Sequence, residues 1–433
     1  MRNRIVLALC VAGMVAGADP GPAEAGNWAQ WRGPAFNGSS SETDLPTKFS
    51  PTENVTWTAD LGGVGGATPI VWDDVVFISA MDPAGKGVFG ACLDRKTGKR
   101  RWKVPMGGGF ANRMGNTGAS PSPITDGKRV WFYTGLGELA CFTMAGKEIW
   151  RRNIQTDHGR FEILWAYAST GLLHGGKLYI PVIHADARAG ERHISYLLCV
   201  DPSTGKDLWK CPRRTDALGE SRQAFVTPIP QKGADGWQIL LTGGDYLTGH
   251  SPENGKMLWK APSYNPRKEK WWRTVPSAVG TGNMALSCAP KGGQMIAVRI
   301  SASDGKPAGS EIWRTRYNSP DVATPLIYQG RLFVLDGRKK ALVCMDPQSG
   351  KVHWKGDIGG RAVFRASPTG VDGKIYCINL DGEAFVLSAG SEFKILHQVK
   401  MGGRRCHATI VPSDGQLFLR TDTKLYCIGK RRR

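Results

Sequence analysis

Short apolar segments with alternating inward and outward positions, each led by a turn, recur along the chain. Asp126-Gly127-Lys128 runs into Arg129-Val130-Trp131-Phe132-Tyr133, and Asp372-Gly373-Lys374 runs into Ile375-Tyr376-Cys377. A second pattern keeps step with the first. Cys92-Leu93-Asp94-Arg95-Lys96-Thr97-Gly98-Lys99-Arg100-Arg101-Trp102 returns as Cys199-Val200-Asp201-Pro202-Ser203-Thr204-Gly205-Lys206-Asp207-Leu208-Trp209. It returns again from Cys344 through Asp346 and Ser349-Gly350-Lys351 to Trp354. Degenerate copies end at Trp150 and Trp259, and a copy with an insertion ends at Trp313. Successive Trp positions lie 48, 59, 50, 54 and 41 residues apart, the period of a four-stranded propeller blade with variable loops.

Each unit also begins alike. A small residue beside Pro stands at Thr68-Pro69, Ser122-Pro123, Thr227-Pro228, Thr324-Pro325 and Ser367-Pro368, with variants at Ser169-Thr170, Pro276-Ser277 and Ala408-Thr409. One unit therefore reads strand A, a Gly-rich turn, strand B, a loop, strand C ending in Asp, a Thr-Gly-Lys turn, and strand D carrying Trp. Eight starts of strand A predict eight blades. The last unit ends at Leu425-Tyr426-Cys427-Ile428 without a Trp-bearing strand, whereas Asn54-Val55-Thr56-Trp57-Thr58-Ala59-Asp60-Leu61 resembles one. The N-terminal strand is expected to complete the final blade and close the ring, pairing what would otherwise be an open sheet edge. Trp57, Trp102, Trp150, Trp209, Trp259, Trp313 and Trp354 are expected to dock neighbouring blades, with Gly supplying positive φ in the turn and Asp capping it.

Length and composition then fall into place. The chain has 433 residues, 56 Gly and 15 Trp; the repeat accounts for both excesses, and one closed all-β domain over 54–429 replaces the two or three domains that length suggests. Residues 1–25 read as a secretory signal, with Arg2 and Arg4, an apolar stretch from Ile5 to Ala18, and Ala23-Glu24-Ala25 before Gly26. Lipid anchoring through Cys10 is the weaker reading, because the bulky Leu9 adjoins it after a short apolar run. Residues 26–53 form a leader segment and 430–433 a basic tail expected to be solvated. No run is long enough for a transmembrane helix. The formal charge of +20 raises the question of a polyanionic partner, but export argues against nucleic acid. A soluble, monomeric protein of the periplasm or cell envelope is expected.

The pattern small-x-Asp-x-x-Thr-Gly-Lys-x-x-Trp resembles the tryptophan-docking motif of pyrroloquinoline quinone (PQQ) propellers, a superfamily that holds quinoprotein dehydrogenases and the outer-membrane assembly factor BamB. Trp28-Ala29-Gln30-Trp31-Arg32-Gly33-Pro34, with Gly38 after it, is similar to the leader of exported bacterial PQQ-like repeat proteins. The resemblance implies an eight-bladed β-propeller of the quinoprotein alcohol dehydrogenase-like type. Quinoprotein alcohol dehydrogenases carry an adjacent Cys-Cys disulfide, a calcium held by carboxylate and amide side chains, and an Asp base. This sequence has no Cys-Cys pair and no Cys-x-x-Cys-His haem site. Asp321 and Glu162 fall in loops leading into strand A, where calcium ligands could sit, but nothing around them completes a match. No cofactor is expected; PQQ with calcium has no support from the motifs.

Cys92, Cys141, Cys199, Cys344 and Cys427 occupy the first slot of the repeat, where Cys packs as a small buried hydrophobe. The eight histidines show no metal-ligand spacing. Charge divides by position. Lys99, Lys147, Lys206, Lys256 and Lys351 sit in the Thr-Gly-Lys turns on one rim and belong to the repeat. Arginines crowd the segments from strand D to the next strand A, which open on the funnel face of a propeller. The candidate ligand-binding residues are Arg113, Arg160, Arg222, Arg273, Arg361, Arg365 and Arg404. Their polar and aromatic neighbours Glu162, Trp165, Tyr167, Trp271, Trp272, Asp321 and His407 complete the set. Arg forks suit carboxylate, phosphate or sulfate, and the aromatics can stack on a sugar ring; the competing reading is that these arginines solubilise the loops or pair with Asp157, Glu162, Glu220 and Asp321. The favoured function is a non-catalytic binding or assembly scaffold of the cell envelope, BamB-like, with an envelope protein as partner. The alternatives are a PQQ-dependent quinoprotein dehydrogenase and the binding of an anionic glycan or other anionic ligand in the funnel.

Overall fold

The computed structural model describes residues 26–110, 115–184, 194–291, 293–315 and 319–431. These build eight four-stranded antiparallel sheets arranged as a β-propeller, with the four strands of each blade consecutive in sequence except in the last. Blade 1 runs from Ile70–Trp72 to Arg100–Gly108, and blade 7 from Thr369–Val371 to Ile395–Lys400. In blade 8, Val411–Ser413, Gln416–Arg420 and Lys424–Ile428 are joined by Val55–Asp60, which pairs antiparallel to Lys424–Ile428 with Trp57 opposite Cys427. The expected closure by the N-terminal strand is therefore observed. The apolar core is divided into layers between neighbouring blades, each layer filled by residues of strands B and C from two blades. Residues 1–25, expected to be a signal and including Cys10, lie outside the described residues, and among those described no helix is long and apolar enough to cross a membrane.

The repeat residues act through one another. Asp94, Asp201 and Asp346 accept backbone N–H groups of their own turns at 2.9, 2.7 and 2.7 Å, and such bonds, with the Arg101 guanidinium first at Asp94, hold these carboxyls below their ordinary range. Gly98, Gly146, Gly205, Gly255 and Gly350 lie against the Trp rings of the preceding blade. At Gly205 φ is +75° and a Cβ would sit 2.6 Å from the Trp150 ring, so two requirements exclude a side chain there. Gly176 has φ +69° with nothing near a Cβ. Gly176→Ala should cost about 1 kcal/mol from backbone conformation alone, and Gly205→Ala distinctly more; equal shifts of the denaturation midpoint would refute the docking role of the glycine.

Trp57, Trp102, Trp150, Trp313 and Trp354 each donate Nε1–H to a backbone carbonyl of the next blade at 2.8–3.2 Å. Trp259 departs from the expectation. Its register partner is Gly249 instead of Cys, so the indole folds over its own blade and bonds Gln238 Oε1 at 2.6 Å. Blade 7 has no Trp; His397 holds the equivalent register position opposite Val386, and its Nε2 and ring meet Phe49 of the leader. The nine described cysteines are all free thiols, and burial pushes Cys92, Cys141 and Cys199 up to about 12, which leaves them unreactive.

The leader crosses the end of the central channel opposite the funnel. Trp28 bonds Val71 of blade 1 in both directions, the Ala29 carbonyl accepts from Thr125 of blade 2, and Gln30 makes two 3.0 Å bonds to Leu173 of blade 3. Arg32 reaches the far side, donating to Pro325 O at 2.5 Å and Pro368 O at 3.2 Å in blades 6 and 7. Arg431, expected to be solvated with the rest of the tail, instead pairs with Asp74 at 2.5 Å and Asp414 at 3.5 Å, in the turns between strands A and B of blades 1 and 8.

Candidate functional site

Strand A begins at the funnel and runs along the axis, so its first residues face the channel. Their hydroxyls form a girdle. The N–H of Thr409 donates to Thr68 Oγ1, that of Thr68 to Ser122 Oγ, and that of Ser122 to Thr170 Oγ1, at 3.1, 3.0 and 3.0 Å. Across the channel Thr227 donates to Ser277, Ser277 to Thr324, and Thr324 to Ser367, each at 2.9 Å. Six of the eight junctions are thus tied blade to blade by one directed motif. The small residues beside Pro that mark each repeat are the members of this ring.

A cavity of about 350 Å³ stands on the girdle. In extended backbone, residue i−2 shares the face of residue i, and the position two before each girdle hydroxyl forms a second tier of the wall. In blades 1–3 this tier is small: Gly66, Ser120 and Ala168. In blades 4–6 it is apolar: Phe225, Val275 and Val322. In blades 7 and 8 it is Arg365 and His407. The cup is therefore roomy on one side, greasy on the second and polar on the third. Trp31 of the leader also lines it, with the Arg32 guanidinium 5.7 Å from the Trp31 ring. Arg32 is fully buried, and burial lowers it to about 9.

Above the tiers lies a charged layer. Trp165 Nε1 donates to Glu220 Oε1 at 2.6 Å. Arg273 stands between two acids, its Nε 3.5 Å from Glu220 Oε1 and its Nη1 3.6 Å from Asp321 Oδ1. Burial lowers the pKa of Arg365, which Asp321 opposes. His407 Nδ1 lies 2.6 Å from the Arg405 carbonyl; a carbonyl only accepts, so Nδ1 carries the proton and Nε2 the lone pair. Burial pushes this imidazole down to about 4, so it is neutral at pH 7. His407 Nε2 and Asp321 Oδ1 are both buried without a hydrogen-bond donor among the described residues.

Of the residues singled out in the sequence, Trp165, Arg273, Arg365 and His407 line the cavity, and Asp321 joins it through Arg273. Arg113 lies outside the described residues. The others point elsewhere. Arg160, Glu162, Arg361 and Arg404 are exposed, each four or more residues short of the strand start, where the connection still runs over the outer rim. Arg222 is turned back onto the Ala217 carbonyl at 2.9 Å. Tyr167 is core, its hydroxyl on Pro181 O at 2.6 Å. Trp271 is 63% exposed on the rim, and Trp272 packs against blade 5. Trp31, Asn116, Phe225 and Lys291 line the cavity and were not anticipated. Counting two residues back from each strand-A hydroxyl would have found Phe225. Trp31 and Lys291 carry no such signal, since one comes from the leader and the other from the loop between strands B and C of blade 5.

Residues 47–183 and 296–392, more than half of the chain, match the family described as "Outer membrane protein assembly factor BamB". No curated protein matches the sequence. Among solved structures the chain is similar to BamB from Moraxella catarrhalis, with TM-score 0.61 at 12% identity over 88% of this chain and 98% of that one. It is also similar to the quinohemoprotein alcohol dehydrogenase from Comamonas testosteroni, with TM-score 0.65 at 12% identity over 94% and 81%. A europium-containing methanol dehydrogenase gives TM-score 0.69 at 12% identity over 93% and 91%. At such identities the likeness is one of fold, shared by BamB and by dehydrogenases alike.

Proposed function

The chain belongs to the PQQ-like repeat β-propeller family described as outer membrane protein assembly factor BamB, and from that premise we propose that it is a non-catalytic binding or assembly scaffold exported to the cell envelope. The observation that carries this reading is the position of Arg273. A quinone-dependent site of the kind the fold also hosts would need carboxylates free to hold a divalent cation and one free to take a proton. Here the Arg273 guanidinium lies within 3.6 Å of both Glu220 and Asp321, so both carboxylates already face a fixed cation. Among the described residues no group of three His, Cys, Asp or Glu could hold a metal ion. PQQ with calcium does not fit this set.

Export is supported by the Arg2/Arg4, apolar, Ala-x-Ala order at the N-terminus. The scaffold role rests on the rigidity of a closed ring that holds its funnel loops in place. The test has two arms. Purified mature protein is incubated with PQQ and calcium or a lanthanide, desalted, and assayed for bound quinone absorbance and alcohol-dependent dye reduction; neither signal is expected. Stoichiometric uptake with turnover would overturn the reading. In the second arm, tagged protein purified from gently solubilised envelope should elute in a complex of fixed stoichiometry, and elution as monomer alone counts against a scaffold.

A further inference from the structure

The girdle has a chemical consequence for the cavity above it. Each hydroxyl oxygen of Thr68, Ser122, Thr170, Ser277, Thr324 and Ser367 accepts an N–H from the blade before it. None of their own protons has a protein acceptor among the described residues. What the ring offers to the cavity therefore includes a set of O–H donors. One residue beyond the girdle, behind Trp31, the buried Arg32 guanidinium is bonded to the carbonyls of Asn37, Pro325 and Pro368 and, among the described residues, to no carboxylate. Arg365 adds a second cation at the blade 7 side of the cup. Hydroxyls ring the base, and Arg365 stands in the tier above them, next to the layer that holds Arg273 and the acids Glu220 and Asp321.

The rest of the wall sets what accompanies the anionic group. Phe225, Val275 and Val322 give one apolar face, opposite the open space over Gly66, Ser120 and Ala168. The upper layer supplies alternating acceptors and donors. A ligand with an oxyanion at one end, an apolar ring face and hydroxyls at the other end matches this order, and about 350 Å³ lies at the small end of ligand sites, enough for one ring and its substituent. We propose that the funnel binds the terminal unit of an acidic glycan, a pyranose carrying a carboxylate, sulfate or phosphate. The oxyanion sits on the hydroxyl girdle and Arg365, and the sugar hydroxyls meet Glu220, Asp321 and Asn116. The proposal rests on reading the funnel as a binding site instead of a reaction centre.

Titration calorimetry with D-glucuronate, D-galacturonate, glucose 6-sulfate, glucose 6-phosphate, neutral glucose and inorganic phosphate tests it and tells the oxyanion types apart. At least one acidic sugar should bind, with glucose at least about tenfold weaker, the loss expected when a charge-assisted contact is absent. Arg365→Gln and, separately, Lys291→Gln should each weaken that sugar, with near-ultraviolet circular dichroism unchanged. Arg404→Ser, on the outer rim, should bind as the parent does. Equal affinity for glucose and the acidic sugars, or inorganic phosphate matching the acidic sugars as an adventitious ion only, would overturn the inference. So would parental affinity in both the Arg365 and Lys291 variants. Absence of sugar binding together with silent PQQ loading sinks the glycan and leaves the scaffold; quinone turnover sinks both.

Discussion

Trp57→Ala lowers the stability of the protein by about 3–5 kcal/mol, the range for removing a large buried aromatic, and makes it self-associate. Blade 8 is the one blade whose strands C and D are not joined by the chain: Val55–Asp60, which leads directly into blade 1, is held on Lys424–Ile428 by strand pairing and side chains alone. The Trp57 ring is 9% exposed, packs against Phe418 with centroids 6.1 Å apart, and donates to Arg95 O at 2.8 Å. Arg95, itself buried, donates to Ser413 O and Asp414 of blade 8 at 2.8 and 3.0 Å, and Arg420 of blade 8 donates to Ala67 O and Ser79 O of blade 1. Loss of the indole removes the ring that presses Val55–Asp60 onto the last blade. Once that strand frays, Lys424–Ile428 becomes an open edge with unpaired backbone groups, a template for another copy. Trp209→Ala is the control: it removes the same volume at an interior junction, where Trp209 Nε1 has no partner among the described residues. Guanidinium midpoints and light scattering compare the two. If Trp57→Ala remains monomeric and loses no more than Trp209→Ala, closure is not the weak point of this ring.

The closure strand was legible because the devices that make a blade are local and periodic. Asp, Gly and Trp of one turn lie within about ten residues of each other, and a turn chemistry repeated six times cannot be missed. The same periodicity misleads where one slot changes its neighbour. Gly249 in place of Cys lets Trp259 fall back on its own blade, and His397 takes a Trp position because Phe49 of the leader covers it. The funnel was half legible. Arg365 and His407 stand two residues before a strand-A hydroxyl and face the axis. Arg361 and Arg404, only four and three residues earlier in the same segments, face solvent. A tally of arginines per connection cannot separate them, whereas the pleat of the following strand does. Trp31 was legible only as part of a leader motif, since its place in the cup follows from the anchoring of the neighbouring Arg32 on blades far along the chain. Nor is all the arginine solvated or turned to the funnel: Arg95, Arg213 and Arg420 are buried ties between blades.

Between pH 7 and pH 5 the stability of the ring depends on two buried groups of blade 4 that pull in opposite directions. His250 is fully buried, with Nδ1 2.9 Å from Gly255 O, and burial pushes it down to about 4. An unfolded imidazole titrates near 6.5, so as pH falls below that value the unfolded chain takes up a proton that the folded chain refuses. Stability is lost, by about 2 kcal/mol at pH 5. Asp245 is also fully buried, and burial raises it to about 6 even though Asn265 donates to it at 2.9 Å. The folded chain binds its proton first as pH falls through about 6, and this adds about 1 kcal/mol by pH 5. His407, lowered by burial like His250, adds to the loss. The parent protein should therefore weaken modestly on acidification. Asp245→Asn, which keeps the shape and tolerates the φ of +71° at this position, should steepen that loss. His250→Gln should remove most of it. Guanidinium midpoints at pH 7 and pH 5 for the three proteins decide the matter, and parallel shifts in all of them would show that neither group titrates as its burial requires.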